Sequence, residues 1–248
     1  MCEILYLVVD GLFPPSSSSS FSLLSSNSSS GKSSSVRFPK IDVKLPPPKY
    51  DWFQTKAIIN IAIYTKWKDI RKWHVIVVNH EKYLKTLVYI REDVFTVHLE
   101  LLHKVERDFE LKIGNESGKV DILLKKVEHG LRWCSIGKSL PGNNDVDSSK
   151  NKEVEYVPLE ICEKTQVTHN SYIIELQVPH FVHFEVPVGH HVYLRIPDSN
   201  IVKPYTPIVT PFLVENKSSA SICNQNIKIY FKGVINKKVE KRSDMTVK

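Results

Sequence analysis

The stretch that decides the fold of the central part of the chain is FELKIGNESGKVDILLKKV, residues 109–127. Apolar residues occupy alternate positions on both sides of a polar Asn-Glu-Ser-Gly tetrapeptide: Phe109, Leu111 and Ile113 before it, and Val120, Ile122 and Leu124 after it. A period of two places every second side chain on one face of a strand, and a short polar segment ending in glycine is typical of a hairpin turn. The stretch therefore predicts a complete antiparallel hairpin with one buried face.

The same period of two recurs before this hairpin. AIINIAIYTK (57–66), LVYI (87–90) and DVFTVHLELLH (93–103) all alternate, and no ten-residue window from 46 to 138 shows a capped helical stripe. The third stretch has an apolar and a polar face: Phe95, Val97, Leu99 and Leu101 against Thr96, His98 and Glu100. We expect a half-buried strand there, and an antiparallel sandwich as the simplest way to pair these strands.

The amino-terminal part of the chain is dominated by serine, which fills 14 of the 20 positions from Ser16 to Ser35. Such a segment cannot bury enough apolar surface to offset the entropy lost on ordering. We therefore predict a disordered Ser-rich linker over residues 1–45. The apolar run Ile4 to Val9 is short, lies between acidic residues and follows no basic residue, so neither a signal peptide nor a transmembrane segment is expected.

Charge and cysteine content narrow the function classes. The net charge is +7, but the excess lies at the ends, with six basic and two acidic residues from Lys232 to Lys248. We expect solvated tails and no nucleic-acid partner, because no basic stripe is interleaved with aromatic residues. Four scattered cysteines occur: Cys2, Cys134, Cys162 and Cys223. Without a Cys-x-x-Cys pair, they predict reduced, buried or inert thiols, no metal site and a cytoplasmic protein.

Two segments of the central region resemble a known domain family. KYDWFQTKAIINIAIYTK (49–66) and LLKKVEHGLRWCSIGK (123–138) are similar to the first and last parts of the CS domain shared by Hsp-type co-chaperones and the SGT proteins. The resemblance implies a CS domain over residues 46–138, with a CS-type β-sandwich, no catalytic residues and a possible protein partner.

Aromatic residues open this domain, namely Tyr50, Trp52 and Phe53. Aromatic side chains dominate interface energetics, so they are a candidate peptide-binding patch. At a first strand such residues more often belong to the core, and both interpretations stay open. His98 and His103 have no partner set at metal-ligand spacing, and we expect them to be structural or exposed histidines.

Strand patterns resume after a hydrophilic segment, residues 139–153, that we predict to be a second linker. SYIIELQVP (171–179) and HHVYLRIP (190–197) alternate, and KPYTP (203–207) follows with two prolines that stiffen an extended backbone. This stretch suits a flat ligand, with Tyr205 against a ring and Lys203 beside a phosphate, or a loop whose prolines block edge pairing. Its chemistry alone favours neither.

Three motifs in order resemble the FAD-binding barrel of the cytochrome b5 reductase and ferredoxin reductase group. They are VGHHVYLRI (188–196), KPYTPI (203–208) and IKIYFKG (227–233). The family pattern is Gly-Gln-His-hydrophobic-Tyr-Leu, then Arg-x-Tyr-Thr/Ser-Pro, then hydrophobic-Lys-hydrophobic-Tyr-Phe. The resemblance implies a partial FAD-binding domain, an incomplete antiparallel barrel, over residues 154–233, followed by a divergent basic tail over residues 234–248.

Carried over residue by residue, the resemblance implies a set of FAD-binding residues: Lys203, Pro204, Tyr205, Thr206, Lys228, Tyr230 and Phe231. Tyr205 is expected near the isoalloxazine, Thr206 at its edge and Lys203 at the pyrophosphate. Lys203 replaces the usual arginine, so a bidentate phosphate clamp becomes a single contact. His190 replaces the usual glutamine. No catalytic residue and no metal ligand is implied.

Together the two regions resemble flavohaemoproteins that join a haem domain, a CS domain and a reductase. In that family a hydride from NADH or NADPH reaches FAD, and electrons pass to the haem of cytochrome b5 or of a haem domain. The implied function is therefore part of an NAD(P)H-cytochrome b5 oxidoreductase, in the cytoplasm and associated with the endoplasmic reticulum.

The match to the reductase ends after Gly233. Neither a glycine-rich turn for a nicotinamide cofactor nor a His-Pro-Gly-Gly haem motif occurs in the 248 residues. We therefore expect a truncated isoform that is inactive alone. The alternative is a non-enzymatic CS-domain interaction module.

Overall fold

The computed structural model describes residues 4–8, 46–149, 156–195, 201–208 and 226–232. Within these ranges the secondary structure consists of antiparallel strands and one short 3-10 helix, η1, at Lys72–His74. The mainly-β, antiparallel fold class is therefore confirmed. The serine-rich residues 9–45 and the basic tail, residues 234–248, lie outside the described residues.

The strands follow one another in two groups. The first group is β1 Ile4–Val8, β2 Lys49–Gln54, β3 Ile58–Tyr64, β4 Val75–His80, β5 Tyr83–Ile90, β6 Asp93–Leu101, β7 Val105–Gly114, β8 Lys119–Lys126, β9 Gly137–Ser139 and β10 Val146–Ser148. The second group is β11 Tyr156–Thr168, β12 Ser171–Gln177, β13 Val182–His183, β14 Val192–Arg195, β15 Val202–Tyr205, β16 Pro207–Ile208 and β17 Asn226–Lys232.

The central residues form a two-sheet sandwich. One sheet has the order β2-β3-β8-β7, and the other has the order β10-β6-β5-β4-β13, with β9 also paired to β6. The predicted hairpin is confirmed, because Phe109 pairs with Leu124 and Leu111 with Ile122 across β7 and β8. These alternate apolar side chains enter a core between the sheets, so the period of two correctly located the buried face.

The aromatic residues at the start of the sandwich divide between core and surface. Tyr50 and Trp52 pack against the sandwich core, whereas Phe53 is 51% exposed. Neighbouring residues of one strand point to opposite sides of the sheet, which separates Trp52 from Phe53. The two histidines make structural contacts. His98 lies beside Pro141, and its Nδ1 atom is 2.9 Å from the carbonyl oxygen of Pro141. The ring of His103 packs edge-on against Trp133.

One strand of the sandwich is more deeply buried than predicted. Thr96 was expected on a polar face but is only 1% exposed. It lies opposite Leu87 of β5, and the next pair on this face is Tyr89 with Val94. Strand β5 therefore supplies apolar residues to the face of β6 that its own sequence marks as polar. Leu87, Tyr89 and Val94 form a small buried cluster on this face. The half-buried prediction for β6 was therefore wrong at Thr96.

The segments predicted as linkers contain strands. Residues 146–148, within the predicted linker 139–153, pair with β6 as β10, and residues 4–8, within the predicted linker 1–45, pair with β11 and β14 as β1. Short strands are difficult to recognise in polar surroundings, because their partners lie far away in the sequence. The predicted domain boundaries themselves stay predictions.

The second sheet system closes into a barrel. Its strand order is β15-β14-β1-β11-β12-β17-β16, with seven strands. The two end strands, β15 and β16, are separated along the chain by Thr206 alone. One continuous run of chain therefore pairs with β14 before Thr206 and with β17 after it, which joins the two ends of the sheet. Strand β1 lies between β14 and β11.

Barrel and sandwich are joined by strand pairing. Strand β13 adds to the edge of β4, with Val182 opposite Val78 and His183 opposite Val77. Val78 is a sandwich residue, yet it belongs to the same buried cluster as Val182 and other residues of the barrel. The hydrophobic core of the barrel therefore continues onto the sandwich.

The hairpin turn between β7 and β8 requires glycine at position 118. Gly118 has φ +66°, and a Cβ there would lie 2.6 Å from the backbone nitrogen of Trp67. We expect Gly118→Ala to lower the free energy of unfolding by about 2–3 kcal/mol, through left-handed strain and the clash. Urea unfolding followed by tryptophan fluorescence measures this change.

Gly130→Ala is the matched control for that measurement. Gly130 has φ +82°, but a Cβ there has no neighbour within 4 Å. This variant is expected to lose only about 1 kcal/mol, the cost of the left-handed conformation. Equal losses in the two variants would contradict the close approach of the hairpin turn to Trp67.

Acid is expected to weaken the contact between barrel and sandwich. Burial lowers the pKa of His183 from 6.5 to about 4, although a hydrogen bond to the carbonyl oxygen of Lys72 acts in the opposite direction. The unfolded chain binds this proton near pH 6.5 and the folded chain only near pH 4. His183 should therefore remove on the order of 3 kcal/mol of stability as the pH falls through that window.

Urea unfolding at several pH values between 7 and 4 measures this effect. His183→Gln carries no titrating ring, so its stability should fall less steeply than that of the unmodified chain. His74, whose pKa burial also lowers to about 4, continues to titrate in both proteins. Parallel pH profiles for the two proteins would show that His183 does not titrate differently on folding.

Candidate functional site

The stretch KPYTP forms the bend at which the barrel closes. Before Thr206, β15 runs beside β14, with Tyr205 opposite Val192 and Lys203 opposite Leu194. After Thr206, β16 runs beside β17, with Pro207 opposite Ile229. Because successive side chains alternate between the faces, the bend has an inner row directed at the barrel core and an outer row directed away from it.

The inner row contains an aromatic pair. The rings of Tyr205 and Phe231 lie 4.2 Å apart between centroids, with an interplanar angle of 41°. Both residues are partly buried and pack against the barrel core, and burial raises the pKa of Tyr205 above its ordinary value. Close aromatic contact of this kind stabilises the junction of β15 and β17 from inside.

The outer row combines a hydroxyl, a phenol and a cation. Ile208 lies opposite Lys228 in the register, so alternation places Thr206 and Tyr230 on the same outer face. All four side chains are exposed, and Tyr230 retains 44% of its surface. Exposed Tyr, Thr and Lys side chains together offer an aromatic surface, a hydrogen-bonding group and a positive charge to one ligand.

A carboxylate holds Lys228 in place on this outer face. Glu175 of β12 accepts a hydrogen bond from Asn226 Nδ2 at 2.6 Å, and its other oxygen lies 3.2 Å from Lys228 Nζ. The bond from Asn226, and then the one from Lys228, lower the pKa of Glu175 despite an opposing effect of burial. The carboxylate is therefore ionised at neutral pH and orients the ammonium group.

A histidine contacts the bend from the preceding turn. His191 Nδ1 lies 2.7 Å from the hydroxyl oxygen of Thr206, and either atom can be the donor, depending on the tautomer. The turn before it is closed by a hydrogen bond from His190 N to the carbonyl oxygen of Pro187, and contains Gly189 at φ +84°. Gly189 thus serves a left-handed turn that bulkier residues adopt with strain.

The structure brings the predicted residues to one bend but divides them between two faces. Thr206, Lys228 and Tyr230 share the outer face, where Pro204 lies opposite Tyr193, while Tyr205 and Phe231 line the inner face. Lys203 is exposed at the far end of β15. These side chains come together because β15, β16 and β17 meet at Thr206, although 20 positions separate Thr206 from Asn226 along the chain.

Three residues near the bend were not predicted from the sequence to belong to the site: Glu175, His191 and Asn226. Glu175 lies in SYIIELQVP, where it appears as an ordinary polar position of an alternating strand. Only the pairing of β12 with β17 shows that it faces Lys228. His191 belongs to the motif VGHHVYLRI (188–196), and its contact with Thr206 was not predictable from the spacing.

Known proteins resemble this chain over most of its length. A sequence profile described as the oxidoreductase FAD-binding domain matches residues 158–245. Cytochrome b5 reductase 4 of Xenopus tropicalis is 34% identical over 218 residues, which is 85% of this chain. The human protein of the same name is 36% identical over 186 residues, or 74% of this chain.

A solved structure supports the same relationship. It contains the CS-b5R domains of human Ncb5or in the NAD+ form and superposes with a TM-score of 0.69 at 33% identity. The superposition covers 79% of this chain and 57% of that one. The chain belongs to the cytochrome b5 reductase family.

The relationship to cytochrome b5 reductase 4 covers only part of those proteins. This chain spans 41% of the length of the Xenopus protein and 35% of the human one. The sandwich is therefore a CS domain and the barrel an FAD-binding domain of the b5 reductase type, as the resemblance implied. The predicted membership and the mainly-β, antiparallel fold class are confirmed, while the individual cofactor-binding residues stay predictions. The barrel was expected to be incomplete, whereas its described strands close at Thr206.

Two further features bear on the expected classes of site. In the ranges that the structure describes, no three His, Cys, Asp or Glu side chains assemble as a metal site does. No helix within the same ranges has the length and apolar character needed to cross a membrane. Cys134 and Cys162 are free thiols on the surface, and Cys2 and Cys223 lie outside the described residues.

The Glu175 carboxylate is expected to stabilise the bend only above acidic pH. Its pKa in the folded chain is below the ordinary 4.5, so the unfolded chain binds the proton first and stability is lost as the pH falls below 4.5. Glu175→Gln should lack this loss. At pH 7 it should cost at most about 1 kcal/mol, because the partner Lys228 is largely solvated.

Urea unfolding at pH 7 and at pH 3.5 tests this expectation. Glu110→Gln is the matched control, since Glu110 pairs with Lys112 at 3.2 Å in a more exposed ion pair of the CS domain. The free energy of unfolding of this control should match that of the unmodified chain at both pH values. If Glu175→Gln also does so, Glu175 does not titrate differently on folding.

Proposed function

We propose that this chain is the CS and flavin-binding part of an NAD(P)H-cytochrome b5 oxidoreductase, with FAD bound at the bend between β15 and β16. The observation that carries the proposal is the bend itself. It brings Thr206, Tyr230 and Lys228 to one exposed face, and Lys203 is exposed three residues before Thr206 on β15. This face belongs to a domain whose family binds FAD.

The chemistry of these residues fits the parts of FAD. The pyrophosphate is anionic, and Lys203 offers an exposed ammonium group in the rigid stretch around Pro204. The flavin ring is flat, with polar atoms at its edge, which suits the phenol of Tyr230 and the hydroxyl of Thr206. Lys228, oriented by Glu175, supplies a second cation.

The remaining predicted residues support the site from within. The rings of Tyr205 and Phe231 lie 4.2 Å apart between centroids, so their packing fixes β15 against β17 next to Thr206. Pro204 and Pro207 restrict the backbone on both sides of Tyr205 and Thr206. We propose that these four residues position the FAD-binding groups, with Tyr205 and Phe231 contacting the ring where they emerge from the core.

Bound FAD supplies the redox chemistry, by accepting a hydride from a nicotinamide cofactor and passing single electrons to haem. The chain's own groups bind and orient. His191 and Thr206 form a hydrogen-bonded pair at 2.7 Å, through which a proton can be held at the Thr206 hydroxyl or at Nδ1. Pre-oriented side chains lower the entropic cost of fixing the reacting ring.

The whole reaction extends beyond the residues described here. NADH or NADPH as the donor, and cytochrome b5 or a haem domain as the acceptor, belong to this proposal, as does a location in the cytoplasm at the endoplasmic reticulum. The acceptor is supported by the names of the cytochrome b5 reductase relatives, of which this chain spans 35–41% in the Xenopus and human proteins. The reductase family also includes NADH-cytochrome b5 reductase 1 of Rattus norvegicus, 37% identical over 79 residues.

Titration of the purified chain with FAD tests the proposed site. Quenching of flavin fluorescence should give saturable binding with one FAD per chain. Lys203→Ala should weaken binding about tenfold, which corresponds to about 1.4 kcal/mol, because one charge-assisted contact is lost. Lys125→Ala, which removes an exposed lysine of the CS domain paired with Glu106, is the matched control and should not change the affinity.

A second pair of variants tests how Tyr230, on the outer face, contacts FAD. Tyr230→Phe removes only the hydroxyl and Tyr230→Ala the ring, so a stacking role predicts that only the second weakens binding strongly. Absence of saturable binding at millimolar FAD, with a folded chain, would overturn the proposed site. Equal effects of Lys203→Ala and Lys125→Ala would remove Lys203 from it.

The alternative function, a non-enzymatic CS interaction module, rests on a different surface. Phe53 and Tyr64 are exposed aromatic residues on one sheet of the CS domain, and Lys119 Nζ lies 5.9 Å and 5.8 Å from their ring centroids. Exposed aromatic residues beside a cation are typical of protein interfaces. A folded chain that fails to bind FAD, but binds a protein in a manner abolished by Phe53→Ala, would favour this function.

A further inference from the structure

The segment that leads into the candidate flavin site is anchored on the CS domain. Strand β13 continues the sheet beyond β4, with Val182 opposite Val78 and His183 opposite Val77. One residue earlier, Asn79 N donates a hydrogen bond of 2.8 Å to the carbonyl oxygen of Phe181. Strand addition of this kind gives both affinity and register to a contact between domains.

Side chains clamp this segment at both ends. The ring of Phe181 lies 4.9 Å from that of His80, and Arg107 Cζ lies 5.9 Å from its centroid. At the other end, Nε2 of the buried His183 lies 3.3 Å from the carbonyl oxygen of Lys72, where it donates in the neutral ring. The pairing is therefore supported by contacts on either side of Val182.

The two domains also share apolar packing. Val78 of β4 is buried in the same cluster as Val182 and Phe184, and Ile76 packs against that cluster. A contact that excludes water in this way resembles the interior of one domain more than a transient interface. Removal of the barrel would expose Val78, and removal of the CS domain would expose Val182.

The anchored segment runs directly into the candidate site. Phe184 is buried, Val186 packs on the same core, and the turn closed between Pro187 and His190 then presents His191. His191 contacts Thr206 at 2.7 Å. The path from the CS sheet to the bend thus consists of eight residues after His183, held at one end by β4 and at the other by Thr206.

We propose that the CS domain and the flavin barrel are thermodynamically coupled through the β4–β13 contact, so that FAD binding stabilises the CS domain and the CS domain maintains FAD affinity. The proposal rests on the proposed FAD site for its ligand. It assigns the CS domain a role within the flavoprotein, namely to hold the segment that positions His191. The edge of β4 is thus occupied by β13 and is not available for pairing with a strand of another protein.

The positions of the tryptophans make this coupling measurable. The chain has four, Trp52, Trp67, Trp73 and Trp133, and all lie in the CS domain. Their fluorescence therefore reports unfolding of the CS domain, whereas FAD binds the barrel. Coupling predicts that FAD at about 100 times its Kd raises the midpoint of the tryptophan-detected thermal transition by about 5–10 °C. Independent domains predict no shift.

Three variants of this 248-residue chain complete the experiment. Phe181→Ala removes the ring that contacts His80 and Arg107, and should reduce the FAD-induced shift to less than half and weaken FAD binding. Val182→Asp places a carboxylate in the shared core and should abolish the shift. Phe53→Ala removes an exposed aromatic residue of similar size on the CS domain, away from β13, and should leave the shift unchanged.

The outcomes separate this proposal from the FAD site itself. The coupling is overturned if flavin fluorescence shows that FAD binds the unmodified chain but the midpoint of the tryptophan-detected thermal transition does not move. It is also overturned if Phe181→Ala retains the full FAD-induced shift of that midpoint. If the unmodified chain does not bind FAD, the FAD site fails, and hydrogen exchange decides the coupling alone. Phe181→Ala must then accelerate exchange in both β4 and β12, and Phe53→Ala in neither; any other pattern overturns the coupling.

Discussion

The barrel depends on one strand that changes partner at Thr206. Residues 202–205 pair with β14 and residues 207–208 pair with β17, so seven strands close without a gap between the two ends of the sheet. Closure satisfies backbone groups that an open sheet leaves exposed at its edges. The same bend separates an inner row, with Tyr205 on Phe231, from an outer row, with Thr206 beside Tyr230, and therefore creates the candidate site.

The second constraint is the addition of β13 to the CS sheet. Antiparallel pairing at Val182 and His183 uses the free edge of β4 and buries Val78 in the barrel core. An edge strand covered by another domain is protected from pairing with other chains. Phe53 and Tyr64 lie exposed on the other sheet of the CS domain, away from this contact.

Several elements were predictable because their physics is local. The hairpin at residues 109–127 follows from period-two alternation around a glycine turn, and Gly118 indeed adopts φ +66°. The KPYTP stretch is extended, as its two prolines require. Thr96 was misjudged, because the face it occupies is covered by Leu87 and Tyr89 of the neighbouring strand, whose position relative to Thr96 depends on register.

The sequence by itself determined the strands of the alternating stretches, the antiparallel class, the buried face of the CS hairpin and the motifs of an FAD-binding barrel. These features depend on alternation, turn chemistry and residue type over short distances. Only the tertiary structure decided that Glu175 orients Lys228, that His191 meets Thr206 and that Val182 lies on Val78. Each of these contacts joins different strands, and a linear pattern does not specify which strands become neighbours or in which register they pair.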